Sequence, residues 1–191
     1  PIPPLEGLLI EAGASVRITG YDLKKAIYTT IDADIPEPGS VLIGARLFCE
    51  MLRRMPDGIV TVEAENGTVS VKCGKAAFNL VGLSADDYPD LPTVEAENGV
   101  SLPQDLLKKM INECSFAVST NESRPVYMGT LFEIENNVLT MVSVDGYRLA
   151  LRREAVEGYG DDCSFIVPGT ALSDLERLCG DSDERVVLSV G

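Results

Sequence analysis

Alternation of apolar and polar residues dominates the chain and predicts mostly β-strands. IVTVEAENGTVSVKC (59–73) reads as two strands around Asn66-Gly67, a pair that tolerates positive φ. KAAFNLVGL (75–83) supplies a third strand, and LFEIENNVLTMVSV (131–144) a further hairpin turning at Asn136-Asn137. VSVDGYRLAL (142–151) breaks its alternation at Asp145-Gly146 and resumes with Tyr147-Arg148-Leu149. A hairpin needs the Asp-Gly pair; it does not need a tyrosine and an arginine directly after it.

Helical spacing is rarer. ARLFCEMLRRM (45–55) places Leu47, Met51, Leu52 and Met55 on one side. PQDLLKKMINEC (103–114) carries Leu106, Leu107, Met110 and Ile111, with Pro103 suited to a first helical turn. GTALSDLERLCG (169–180) carries Leu172, Leu175 and Leu178 and ends in Gly180, a helix stop. Core packing accounts for all three stripes. Each helix follows a short apolar strand ending in Gly or Pro: SVLIG (40–44), GVSLP (99–103) and SFIVP (164–168).

That recurring unit signals a long internal repeat. GLLIEA (7–12) lies over GTLFEI (129–134), and Pro3 over Pro125. VLIGARLFCEMLRRMPD (41–57) lies over FIVPGTALSDLERLCGD (165–181). ITGYDL (18–23) matches VDGYRL (144–149) by letter, setting Gly20-Tyr21 and Leu23 on Gly146-Tyr147 and Leu149, and Asp22 against Arg148. The repeat predicts two homologous domains, 1–94 and 95–191, joined near 84–98. The first copy lacks the strand and helix that open the second (99–114), and the second stops before the strands that end the first, so exposed apolar edges are expected. The duplicated VEAENG (62–67 and 94–99) has different sequence after each copy and reads as coincidence.

Composition narrows the chemistry. The 191 residues are 45% hydrophobic, which suffices for a sizeable core; Trp is absent, so that core is aliphatic. No run reaches membrane-span length and no signal-peptide pattern opens the chain. Cys49, Cys73, Cys114, Cys163 and Cys179 form no CxxC pair, and histidine is absent. That disfavours zinc and a disulfide framework and removes Ser-His and Cys-His nucleophile pairs. The thiols read as reduced, in a cytosolic protein. The formal charge of -14 argues against a protein that grips phosphates all round, but not against one that meets DNA with one face. Asp86, Asp87 and Asp90 in LSADDYPDLP, stiffened by Pro89 and Pro92, read as a solvated connector ahead of a metal site.

Cations gather on the helices: Arg46, Arg53 and Arg54 in the first domain, Lys108, Lys109 and Arg177 in the second. Arg54 lies about 80° round from the Arg46–Arg53 line. Acids concentrate in loops and strand ends, although Glu50, Asp105, Asp174 and Glu176 also sit on helices. A basic helical layer in an acidic shell suits a surface that tolerates a polyanion without gripping it; ordinary solvated faces are also charged.

SVDGYRLAL, SFIVPGTALSDLERL, the RPVYMG turn and the ADDYPDLP connector resemble the bacterial DNA polymerase III beta subunits, the sliding clamps. The resemblance runs in order along essentially the whole chain. It implies an α+β DNA-clamp fold, with repeated domains of antiparallel sheets outside and two helices per domain inside. It also implies that the first helix of the first domain, the end of the second domain and a third domain lie outside this chain. In that family two three-domain subunits close head to tail around duplex DNA. The implied role is a non-enzymatic processivity factor without catalytic residues, metal or cofactor, acting in the bacterial cytoplasm at the nucleoid. DNA-facing candidates are Arg46, Arg53, Lys109 and Arg177 on helices and Asn121 and Arg124 in a loop. Thr170 takes a position often basic in the family.

The resemblance also assigns the Asp145-Gly146 turn a role. Val144, Gly146, Tyr147, Arg148 and Leu149, with Tyr127, are implied to form a pocket for short peptides of polymerases, the clamp loader and repair proteins. Val144 and Leu149 would supply its floor, Tyr147 a wall and Arg148 a hydrogen-bonding rim. Tyr127 stands where the family has a leucine-like residue. The remaining half of the pocket belongs to the third domain, so this chain alone is expected to bind peptides weakly or not at all. Two other readings stay open from the residues: a carboxylate-based metal-dependent hydrolase, and an interaction scaffold without a DNA role.

Overall fold

The computed structural model describes residues 3–91 and 98–190. Most of the second VEAENG and the end of the expected connector, with Pro92, lie outside the described residues. The chain forms two compact units, residues 1–92 and 93–191. In the first, the strands are β1 (Gly7–Ala12), β2 (Val16–Tyr21), β3 (Ala26–Ile31) and β4 (Gly39–Gly44), then helix α1 (Ala45–Leu52), β5 (Thr61–Glu65), β6 (Thr68–Cys73) and β7 (Ala76–Leu83). They make one antiparallel sheet in the order β3-β2-β1-β4-β7-β6-β5. In the second, β8 (Asn98–Pro103) and α2 (Gln104–Ser115) precede β9 (Gly129–Glu135), β10 (Val138–Val144), β11 (Leu149–Ala155), β12 (Glu157–Tyr159), β13 (Cys163–Pro168), α3 (Gly169–Leu178) and β14 (Arg185–Val190). These form the sheets β11-β10-β9-β13 and β12-β8-β14.

The order β3-β2-β1-β4 reappears as β11-β10-β9-β13, and the register repeats with it. Ile10 pairs with Ile18 and Val41; Phe132 pairs with Met141 and Phe165, whose ring stacks on Phe132 with centroids 5.4 Å apart. Both Pro3 and Pro125 open a single 3-10 turn leading into the first strand. Asn66-Gly67 and Asn136-Asn137 all have positive φ, as tight two-residue hairpins require.

One part of the letter-matched repeat is corrected. Tyr21 pairs with Ala26, and Val144 pairs with Leu149, so each turn spans four residues between equivalent ends. Asp22 therefore corresponds to Asp145, Leu23 to Gly146, Lys24 to Tyr147 and Lys25 to Arg148. The Gly-Tyr identity misaligns the turns by three positions, because the hydrogen-bonding carboxylate, not the glycine, fixes the geometry.

In the second unit α2 and α3 pack side by side over one core fed by both sheets. Leu107, Met110, Ile111 and Cys114 of α2 are fully buried at helical spacing, against Leu172 of α3 and Phe132, Leu139 and Met141 of the sheet. The helical stripes are narrower than their leucines predict. In α1 the buried side chains are Phe48 and Met51, whereas Leu47 and Leu52 sit one residue off that line and are exposed. In α3 Leu172 is buried but Leu178, in the last turn, is exposed. The expected helix to residue 55 ends at Leu52, with Arg53 as its C-cap. Pro103 is the last residue of β8 and the N-cap of α2, not a first-turn residue, and Gly44 and Pro168 cap α1 and α3 in the same way. Gly180 N donates to Gln104 Oε1 at 2.7 Å, so the chain after α3 is held by α2.

Helix cover separates the two units. Ala150 of β11 lies under α2 and is 7% exposed; the matching Ile27 of β3 is 54% exposed, and no described helix covers it. Near the end of the first unit, the connector is less solvated than its sequence predicts. Tyr88 is buried and its hydroxyl donates to Thr19 O at 3.4 Å, while burial pushes its pKa up.

Candidate nucleic-acid and peptide interfaces

The cationic candidates divide between the two units. Arg46, in the first turn of α1, is almost fully exposed and its Nε lies 3.2 Å from Glu50 Oε1, one helical turn on. Arg53 is exposed at the C-cap of the same helix. In the second unit Lys109 is exposed on α2, and Arg177 is exposed on the neighbouring α3, with Asp174 Oδ1 3.7 Å from Nη1. Lys108 differs from Lys109. Its Nζ donates to Asp181 Oδ1 at 2.6 Å, which raises the lysine pKa and holds the α3 exit against α2. Asn121 and Arg124 lie in the exposed loop between α2 and the Pro125–Met128 turn. Asn121 Oδ1 accepts the Ser123 N–H at 3.0 Å, and the Arg124 guanidinium stands 5.9 Å from the Tyr127 ring centroid.

The Asp145 turn is built by one carboxylate. Oδ1 accepts the N–H of Tyr147 at 2.9 Å and of Arg148 at 3.1 Å, and Oδ2 accepts Arg148 Nε at 2.7 Å. These bonds, that from Tyr147 first, hold the Asp145 pKa below its ordinary range. Gly146, at φ 94, supplies the left-handed step. Val144 and Leu149 face each other across the strand pair, Val144 half-buried and Leu149 exposed. Tyr147 is 100% exposed, so within its own unit it is no wall. Tyr127 is half-buried; its carbonyl accepts the Ser119 N–H at 2.8 Å.

Sequence reasoning missed Phe116. It caps the C-terminus of α2, is 55% exposed, and its ring lies 5.6 Å beneath the Arg148 guanidinium. Its signal was an apolar residue off the Leu107–Cys114 stripe. The structure thus gathers Val144, Gly146, Arg148 and Leu149 around one turn. Phe116 is joined to that turn through Arg148, and Tyr127 to the 116–119 segment through Ser119. A cleft of about 300 Å³ is found in the first unit, lined by Gly7, Leu42, Gly44, Arg46, Leu47 and Leu83 among others; it includes none of the implied peptide residues.

The start of the acidic connector is a capped turn. Ser84 Oγ caps a short turn by accepting Asp86 N–H at 3.2 Å, and among the described residues no group of three or more acid or thiol side chains is placed to hold a metal ion. Among the described residues no helix is long and apolar enough to cross a membrane.

Two repeated sheet-and-helix units, with cations on their helices, define the fold of the DNA sliding clamps. The solved Bacillus subtilis DNA polymerase sliding clamp superimposes with a TM-score of 0.94 at 34% identity, over 100% of this chain and 53% of that one. Residues 1–92 match the family described as DNA polymerase III beta subunit, N-terminal domain, and residues 101–191 its central domain. The beta sliding clamp of Halalkalibacterium halodurans is 35% identical over 99% of this chain, and that of Bacillus subtilis 36% over 97%. The chain belongs to the DNA polymerase III beta subunit family. It spans about half the length of these relatives, 53% and 52%.

Proposed function

We propose that this chain supplies the first two domains, residues 1–94 and 95–191, of a bacterial sliding clamp. The clamp is a non-catalytic processivity factor that encircles duplex DNA and tethers the replicative polymerase. The observation that carries this reading is the ordered match of both units to clamp domains, with a TM-score of 0.94 over the whole chain. The division of the chain into units 1–92 and 93–191 supports the domain limits. The full-length protein forms a head-to-tail homodimeric ring, binds its partners through short peptides at the Asp145 turn, needs no cofactor, and works in the cytoplasm at the nucleoid.

Encirclement explains a chain with net charge -14 that acts on DNA. A closed ring retains its substrate by topology, so affinity stays low. Each exposed Lys or Arg near a phosphate adds a sequence-independent, salt-sensitive increment. We assign such contacts to Arg46, Lys109 and Arg177 on helices, to Arg53 at the C-cap of α1, and to Asn121 and Arg124 from a loop. Sparse contacts to the backbone, and none to base edges, permit sliding.

The test is charge reversal of Arg46, Arg53 and Lys109 in the full-length protein, followed by clamp loading and processive synthesis on primed DNA. Loss of loading and shorter products are expected. Unchanged products would sink the DNA-facing assignment and favour a scaffold.

A further inference from the structure

We propose that Asp145 is a positioning residue for peptide recognition, acting through Arg148, and that Phe116 is the platform on which it sets the guanidinium. The inference rests on the reading of the Asp145 turn as a peptide site. The turn itself needs only Oδ1, which takes both backbone amides. Oδ2 does something further: it accepts Arg148 Nε at 2.7 Å and turns the planar group over the Phe116 ring, 5.6 Å away. Cation–aromatic stacking and a fixed Nε leave the two terminal nitrogens as a forked donor pair, on the residue that precedes exposed Leu149 in the chain. An arginine in free solution samples many rotamers, and freezing one on binding costs affinity. Here the freezing is done before the peptide arrives. The ligand class this serves is an extended peptide whose carbonyl or carboxylate oxygen meets the fork while an apolar side chain rests on Val144 and Leu149.

The repeat supplies an internal control. Asp22 makes the same turn, accepting Lys24 N–H at 2.9 Å and Lys25 N–H at 2.6 Å, but its neighbours are lysines, which have no planar fork to lay on a ring. Turn-building is therefore common to both units, and the guanidinium hold belongs to the second alone.

The experiment uses the full-length protein and a dye-labelled synthetic peptide carrying the polymerase's clamp-binding motif, read by fluorescence anisotropy. Asp145→Asn keeps an oxygen for the two amides but cannot hold the guanidinium. It should weaken binding about fivefold. In an Arg148→Ala background the same change should have no further effect, and Phe116→Leu should reproduce part of the loss. Asp22→Asn should leave binding unchanged. Asp145→Asn binding within twofold of wild type, or an Asp145 effect that simply adds to that of Arg148→Ala, would overturn the inference while leaving the peptide site intact. Failure of the wild-type protein to bind the peptide would overturn the peptide reading itself, and this inference with it.

Discussion

Asp22 and Asp145 do the same work in the two units. Each carboxylate accepts the backbone N–H groups two and three residues ahead, at 2.9 and 2.6 Å for Asp22 and at 2.9 and 3.1 Å for Asp145. Each aspartate also donates its backbone N–H to the carbonyl three residues on, Lys25 or Arg148. Between them stands a residue in the left-handed region: Leu23 at φ 69 in one turn, Gly146 at φ 94 in the other.

Leu23 carries a penalty that Gly146 does not, since a branched side chain in that region crowds its own backbone. Leu23→Gly is expected to stabilise the protein by about 0.5–1 kcal/mol, because the relieved strain exceeds the added chain entropy. Gly146→Leu should destabilise by a similar amount. Thermal unfolding of both variants checks the pair; a lower midpoint for Leu23→Gly would refute the strain argument.

Gly7 and Gly129 hold equivalent places at the start of β1 and β9, but their surroundings differ in stiffness. A Cβ on Gly129 would meet Val167 O and Ile166 Cγ2, both at 2.6 Å; on Gly7 its nearest neighbour is Leu42 Cδ1 at 2.6 Å, the end of a side chain that can turn, with Ile43 O at 3.0 Å. Gly129→Ala should cost about 1–3 kcal/mol, and Gly7→Ala clearly less. Denaturant midpoints decide the order.

Asp145 makes stability depend on pH in acid. Its folded pKa lies below the ordinary 3.8, chiefly through the Tyr147 N–H and then the Arg148 side chain. The unfolded chain thus binds the proton more readily, so this stabilisation is present above about pH 4 and is lost as pH falls through the folded pKa. The stability gap between wild type and Asp145→Asn should be open at pH 7 and close on acidification. A gap that persists at low pH would contradict this account.

The five thiols should separate by reactivity. Cys114 and Cys179 are buried, and burial pushes both pKa values up; Cys73 is buried with Sγ 3.3 Å from Pro56 O. Cys49 and Cys163 are half-buried. Native labelling with a water-soluble disulfide reagent should reach Cys49 and Cys163 first, and the other three only with denaturant. Peptide mass spectrometry of the labelled protein checks the order.

Hairpins, helices and duplication were legible in the sequence because they are local. Asn66-Gly67 and Asn136-Asn137 announce positive φ, and the spacing of Leu107, Met110 and Ile111 announces a buried face, although Leu106 beside them is only half-buried. The sequence by itself also determined the succession of strand, tight corner and helix that marks the repeat. Three things waited for the tertiary structure. The true register of the repeat at Asp22 and Asp145 is set by hydrogen bonds, which letter identity does not encode. Which leucines are buried depends on what packs above them: Phe48 turns inward and Leu47 does not, and Ile27 is bare where Ala150 lies beneath α2. Phe116 met Arg148 only when the end of α2 came to rest beside a turn that follows it by some thirty residues. Such a contact is decided by the packing of distant elements, and no short stretch of sequence contains it.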